Sequence, residues 1–213
     1  MNRELGTLKR EDYKLAQQFC IEGMHFAWYA KGPFLQLIGW LFFRMGLNRA
    51  TQVIAAYVDD EFAGVLMAAM RGEPRVCPCW WMTALTGLAE GAARLVSLVT
   101  GLWTERRGDP HEEMLAEYQL DHDPDGEIVF LAADPHSEVK GVGSALLAEL
   151  ERREPGKLVY LYTDSGCTYQ FYDKRGFTRF CERSNPDDLD GDGSPIRHFL
   201  YSKMIPTATR TGA

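Results

Sequence analysis

Residues Glu127 to Phe177 carry the densest run of positions whose types and spacing could do chemistry. An apolar stretch, Glu127-Ile128-Val129-Phe130-Leu131-Ala132-Ala133, is followed by Asp134-Pro135 and then by Ser137-Glu138-Val139-Lys140-Gly141-Val142-Gly143-Ser144. Glycines at 141 and 143 remove side chains where backbone N–H groups turn outward at a helix start, a geometry that cradles phosphate oxygens. The bland alternative is a helix merely opened by small residues. A dinucleotide-binding GxGxxG is excluded because its third glycine would fall on Leu146, and no Gly-Lys pair is followed by Ser or Thr as a Walker loop needs. Two metal patterns also fail. Cys77-Pro78-Cys79 has no second CxxC or HxxxH companion, and Asp188-Leu189-Asp190-Gly191-Asp192-Gly193 places Phe199 where a calcium loop needs Glu. The acidic run Asp187 to Asp192 reads instead as a mobile turn, and no metal site is expected.

The elements that must position this segment follow from hydrophobic period. A short strand is expected at Gly6 to Lys9, a helix over Asp12 to Met24, and a second helix from Phe34 to Gly46 with Pro33 at its start. Gln52 to Val58 and Phe62 to Met70, joined by Asp59-Asp60-Glu61, read as a β-hairpin. Residues 72–125 form a helical insertion in a single 1–213 domain. Glu127 to Ala133 is a strand, Gly141 to Arg153 a helix, Lys157 to Thr163 a strand, and Thr168 to Lys174 a short helix closed by Gly176. Phe177 to Glu182 and His198 to Met204 are the last strands. Antiparallel hairpins at both ends around a βαβ step predict an α/β (α+β) sheet with a parallel pair at its centre.

Glu127 to Phe130 followed by Glu138-Val139-Lys140-Gly141-Val142-Gly143-Ser144 resembles the central motif of the GCN5-related N-acetyltransferase (GNAT) family, Gln/Arg-x-x-Gly-x-Gly/Ala. Phe171-Tyr172-Asp173-Lys174-Arg175-Gly176-Phe177 resembles that family's FYxxxGF motif, and the flanking hairpin and final strands fall where the family places them. Glu138, Ser165 and Thr168 stand where the family usually has Gln or Arg, Asn and Ala, and the 72–125 insertion is longer than usual. The resemblance implies a mostly antiparallel sheet whose central parallel strands splay apart around acetyl-CoA. It implies pantetheine contacts from Leu131, Ala132 and Ala133, and a pyrophosphate on the N–H groups of Val139, Lys140, Gly141, Val142, Gly143 and Ser144. Ser165 and Thr168 would complete the cofactor contacts. Tyr172 matches the family's acid, which protonates the leaving thiolate, and Glu127 its base. Other candidate bases lie in the insertion: Glu112, Glu113, Glu117 and Asp121, with His111 and His122. A helix from Pro110 to Leu120 would put Glu113 and Glu117 on one face.

Composition sets the outer bounds. The chain has 213 residues, 46% of them hydrophobic, and 23 Lys and Arg against 30 Asp and Glu, a formal charge of −7. That balance lacks the basic footprint of a nucleic-acid binder and suits a small or cationic partner. Five cysteines without regular spacing and a polar start at Met1 to Asp12 predict a reducing, cytoplasmic setting. Phe34 to Leu47 is too short to cross a bilayer. Trp80 to Trp103 carries Glu90 and Arg94 near its middle, so no stable membrane span is expected. The partner that the resemblance implies is the amine of a small molecule or protein, and a second copy of the chain in a homodimer is a further expectation. The competing reading is a catalytically inactive CoA-binding or regulatory module whose insertion binds a partner or a membrane surface.

Overall fold

A computed structural model describes residues 2–28, 30–81, 83–84, 109–137 and 139–207; Glu90, Arg94 and Glu138, on which sequence expectations rest, lie outside the described residues. The elements run β1 (Arg3–Gly6), α1 (Tyr13–Gly23), α2 (Gly32–Arg49), β2 (Gln52–Val58), β3 (Glu61–Met70), α3 (Pro110–Tyr118), β4 (Gly126–Ala133), α4 (Val142–Arg153), β5 (Leu158–Asp164), α5 (Gln170–Asp173), β6 (Thr178–Leu189) and β7 (Pro195–Met204). The strands form one seven-stranded sheet in the order β1-β2-β3-β4-β5-β7-β6. Every pairing is antiparallel except β4 with β5, which run parallel and meet only at Gly126–Val159 and Glu127–Tyr160.

Both faces of the sheet are covered, which is why β2 and β3 read as nearly continuous apolar runs. On one face Leu146, Leu147 and Leu150 of α4 pack on Ile54, Leu66, Ile128, Val159 and Leu161. On the other, Phe19 and Cys20 of α1 and Phe43 and Leu47 of α2 pack on Val53, Ala55, Val65, Met67 and Phe130. A smaller cluster seats Met114 and Tyr118 of α3 against Leu200.

The register of β3 on β4 slips at one point. Met67 faces Phe130 and Ala68 faces Ile128, so Val129 has no opposite residue. This bulge explains why Ile128 and Leu131, three apart, both face α4 while Phe130 and Ala132 face α1 and α2. Beyond the bulge β3 and β4 approach closely at Gly64. A Cβ there would lie 2.8 Å from the Ala132 carbonyl, 2.9 Å from Val142 Cγ1 and 3.1 Å from Ala133 Cα.

Two elements differ from the sequence reading. The first strand lies at Arg3–Gly6 rather than Gly6 to Lys9. It is an exposed edge strand with no apolar alternation, and Asn2 fixes its register by exchanging hydrogen bonds with Asp59. The expected mobile acidic turn is mostly strand. β6 runs to Leu189, β7 begins at Pro195, and Asp190 closes the turn by accepting N–H bonds from Asp192 (2.9 Å) and Ser194 (2.8 Å).

Gly64→Ala is expected to destabilise the protein by about 1–3 kcal/mol, because its methyl meets backbone that cannot move independently. Urea unfolding checks this, with Gly72→Ala no substitute as a control because its positive φ adds strain of its own; Gly6→Ala, in open space, is the control.

Candidate functional site

Past Glu127 and Tyr160 the strands β4 and β5 part, leaving a cleft of about 590 Å³ whose β4 wall has no ladder partner on the β5 side. It is lined by Ile128 to Ala133 of β4, Gly141 to Ser144 at the start of α4, Tyr162 to Asp164 of β5, and Cys167, Thr168, Phe171, Tyr172 and Arg175 around α5, together with Gly23 and Met24. The structure therefore brings together Leu131, Ala132, Ala133, Val139, Gly141, Val142, Gly143, Ser144, Thr168 and Tyr172.

Gly141 adopts φ +86° as the cap of α4, a left-handed conformation that favours glycine. The N–H groups of Val142, Gly143 and Ser144 open the helix, where no intrahelical acceptor exists. Together with the positive helix end they make an anion cradle. The Val139 N–H does not join them, because it donates to Ser137 Oγ at 3.1 Å.

Three expected residues fall outside the cleft lining. Lys140 contributes its carbonyl to Arg3, which donates from Nη2 at 2.9 Å and also reaches the Gly141 carbonyl at 3.4 Å. Ser165 ties β5 to β7: its N–H donates to the Arg197 carbonyl (2.9 Å) and its hydroxyl accepts from the Arg197 N–H (3.1 Å). Glu127 points to the α2 side, where its carboxylate pairs with Arg49 at 2.5 Å and accepts from the Tyr160 hydroxyl at 3.3 Å.

The insertion carboxylates are also accounted for. Glu117 pairs with Arg183, and Glu112, Glu113 and Asp121 are exposed. His122 stacks on Tyr118 with its ring 4.3 Å away. Among the described residues no group of three or more His, Cys, Asp or Glu is arranged to hold a metal ion, and Cys79 instead gives its N–H to the Asn48 side chain.

Sequence reasoning passed over Arg175. Its guanidinium donates to Ser144 Oγ and lies 5.2 Å from the Phe171 ring centre, so a fixed cation stands beside the glycine turn. The signal was present as a basic residue inside the Phe171–Phe177 motif, but only the fold shows that α5 lies across from the cradle. Arg3, which staples the turn to the far edge of the sheet, left no local signal at all.

Tyr172 is packed edge-on between Phe171 (5.2 Å) and Phe177 (5.6 Å). Burial pushes its phenol up, with Cys167 adding to the effect. The Cys167 thiol is itself pushed up to about 12 by burial and by Asp164. Across the cleft, Tyr162 donates to the His111 carbonyl at 2.9 Å, and the His111 ring stacks on it with centres 4.4 Å apart.

No family model matches the sequence, and no curated protein is similar to it at a significant level. Solved structures are similar in fold. A histone acetyltransferase HPA2 and related acetyltransferase from Corynebacterium glutamicum aligns at 19% identity with TM-score 0.54, covering 100% of both chains. The ribosomal-protein-S18-alanine N-acetyltransferase from Escherichia coli aligns at 15% identity and TM-score 0.52, over 100% of this chain and 99% of the other. The PaiA N-acetyltransferase from Thermoplasma acidophilum, solved with coenzyme A, aligns at 15% and 0.52, over 96% and 99%. The chain has the fold of the GCN5-related N-acetyltransferases. Among the described residues no helix is long and apolar enough to cross a membrane.

A Cβ at Gly143 would meet only the Phe171 ring, at 3.6 Å, so small side chains fit there. Gly143→Ala is expected to fold normally. Gly143→Asp is expected to fold but to lose any rise in Tm that coenzyme A gives the parent, which for a ligand at a hundredfold excess over Kd corresponds to about 2.7 kcal/mol. Thermal melts of both variants with and without coenzyme A make the comparison.

Proposed function

We propose that the protein is an N-acetyltransferase that moves an acetyl group directly from acetyl-CoA to an amine. The observation that carries this reading is the cleft that joins an unpaired β4 edge, a helix-start anion cradle and a half-buried phenol. Each meets one part of the cosubstrate. The backbone of Leu131, Ala132 and Ala133 offers ladder hydrogen bonds to the pantetheine amides. The N–H groups from Gly141 to Ser144, with Arg175 beside them, meet the pyrophosphate.

The thioester then lies toward Tyr172. A phenol held above its usual value of about 10 is fully protonated at neutral pH, so its hydrogen is always available to the leaving sulfur. It stabilises thiolate charge as the C–S bond breaks and supplies the proton that yields the free thiol. Direct transfer is favoured over an acyl-enzyme. Cys167 is the cysteine on the cleft wall, and a thiol pushed up to about 12 presents almost no thiolate for attack.

The acceptor approaches from the face that carries Glu127, Tyr160, Tyr162, Asp164 and His111, a setting of carboxylates and aromatic faces that suits a cationic amine.

Tyr172→Phe keeps the ring and its packing and removes only the proton donor. The expected outcome is a fall in kcat of about 10²–10⁴-fold. The coenzyme A-induced Tm shift should be retained. Free-thiol detection with a panel of primary amines measures the first and thermal melts the second. Equal turnover in variant and parent would remove Tyr172 from the reaction, and absence of any thiol release by the parent would favour a binding module.

A further inference from the structure

We infer that the imidazole of His111 takes the proton that the acceptor ammonium must lose before its nitrogen attacks, an assignment that rests on the acetyl transfer proposed above. A primary ammonium has a pKa near 10.4 and no lone pair, so some group on the acceptor face has to accept that proton at neutral pH. The candidates on that face differ in what they already hold.

Glu127 is committed elsewhere. Its carboxylate pairs with Arg49 at 2.5 Å and accepts from Tyr160. Asp164 lines the cleft, but its Oδ1 accepts the N–H groups of Gly166 (2.8 Å) and Cys167 (3.0 Å) and so holds the turn that follows β5. His198 is bonded to Asp188 at 3.1 Å.

His111 is placed firmly yet left chemically open. Asp109 caps α3 by accepting the His111 N–H at 2.9 Å, and the Tyr162 hydroxyl holds its carbonyl. The ring is stacked on Tyr162, a wall of the cleft, at an interplanar angle of 19°. Nδ1 stands 4.0 Å from Asp109, too far for a hydrogen bond, and among the described residues neither ring nitrogen is hydrogen-bonded. The side chain is 42% exposed, which gives an accepted proton a way out to water.

The surroundings keep the ring neutral. Burial lowers its pKa, and the neighbouring His198 on β7 lowers it further. Asp109 on the same helix, Asp164 on β5 and Glu127 on β4 oppose this without overcoming it. Tyr160 and Tyr162 are held above their usual value by burial and add no charge.

The step balances. One ammonium proton passes to a His111 ring nitrogen and the freed nitrogen lone pair forms the C–N bond to the thioester carbon. The C–S bond breaks, Tyr172 gives its proton to the sulfur, and the second proton leaving nitrogen restores the phenol. His111 then releases its proton to solvent. The products are the acetamide and free coenzyme A.

The test compares kcat/KM from mildly acidic to alkaline pH for the parent, His111→Gln and Glu127→Gln, using acetyl-CoA and primary amines. The parent should show an acidic limb with a midpoint below about 6.5. His111→Gln should lose about 10²–10⁴-fold at neutral pH, lose that limb, and recover as pH approaches the amine's own pKa. Glu127→Gln should keep the limb. The coenzyme A-induced Tm shift should persist in His111→Gln. An unchanged rate and limb in that variant would overturn the assignment while leaving acetyl transfer standing. Lack of transfer by the parent to every amine would remove both. Should the variant not fold, NMR titration of the parent imidazole decides, and a midpoint at or above 6.5 overturns the assignment.

Discussion

The parallel pairing of β4 with β5 stops after two residues, and the rest of the site depends on that interruption. Strands in a sheet normally zip until chain geometry stops them, since each unpaired backbone group in a protected cleft forfeits a hydrogen bond. Here the pairing is held tightly at one end. Asp125 donates its N–H to the Leu158 carbonyl (2.7 Å) and accepts the Leu158 N–H on its carboxylate (2.8 Å), and Glu127 links Tyr160 of β5 to Arg49 of α2. Immediately beyond, the Val129 bulge turns β4 toward β3, where Gly64 permits close approach, and away from β5. The strand edge thus exposed needs amide partners, and an extended ligand with amides of its own can supply them.

This gives Glu127 a physical role different from the one its place in the sequence suggests. A carboxylate at 12% side-chain exposure, ion-paired and hydrogen-bonded, stabilises the pinch from which the cleft opens. Its partner, Arg49, is the last residue of α2, so the ion pair also anchors the end of that helix. Freeing that carboxylate to shuttle protons would loosen the point on which the splay turns.

What was legible in the sequence was what local period and local turn chemistry encode. The 52–70 hairpin, the Glu127–Ala133 strand and the Gly141 turn all announce themselves through neighbouring residues. What was hidden depends on partners far along the chain. Arg3 reaches Lys140 and Gly141 from the opposite end of the molecule, and Arg175 meets Ser144 only because α5 packs across the cleft from α4. The Val139 N–H donates to Ser137 two residues away, and the Ser165 hydroxyl serves the β5–β7 ladder, partners that the motif itself does not encode. The position of β1 is not legible because an exposed edge strand has no buried face to leave a period.

The two halves of the cleft carry opposite electrostatics, and the sheet keeps them apart. On the α4 side a helix N-terminus and Arg175 create a positive region in a chain of net charge −7. On the α2 and α3 side Asp109, Asp164 and Glu127 surround aromatic rings and two histidines. Were these groups on one face, carboxylates and guanidinium would pair with each other and neither would attract a ligand. Placed on opposite sides of the splayed strands, they are separated by the backbone itself, so an anion and a cation can enter from different faces. In the proposed transfer their reactive ends would meet where β4 and β5 part, which would confine the proton acceptor and donor to the same few residues on either side of the gap.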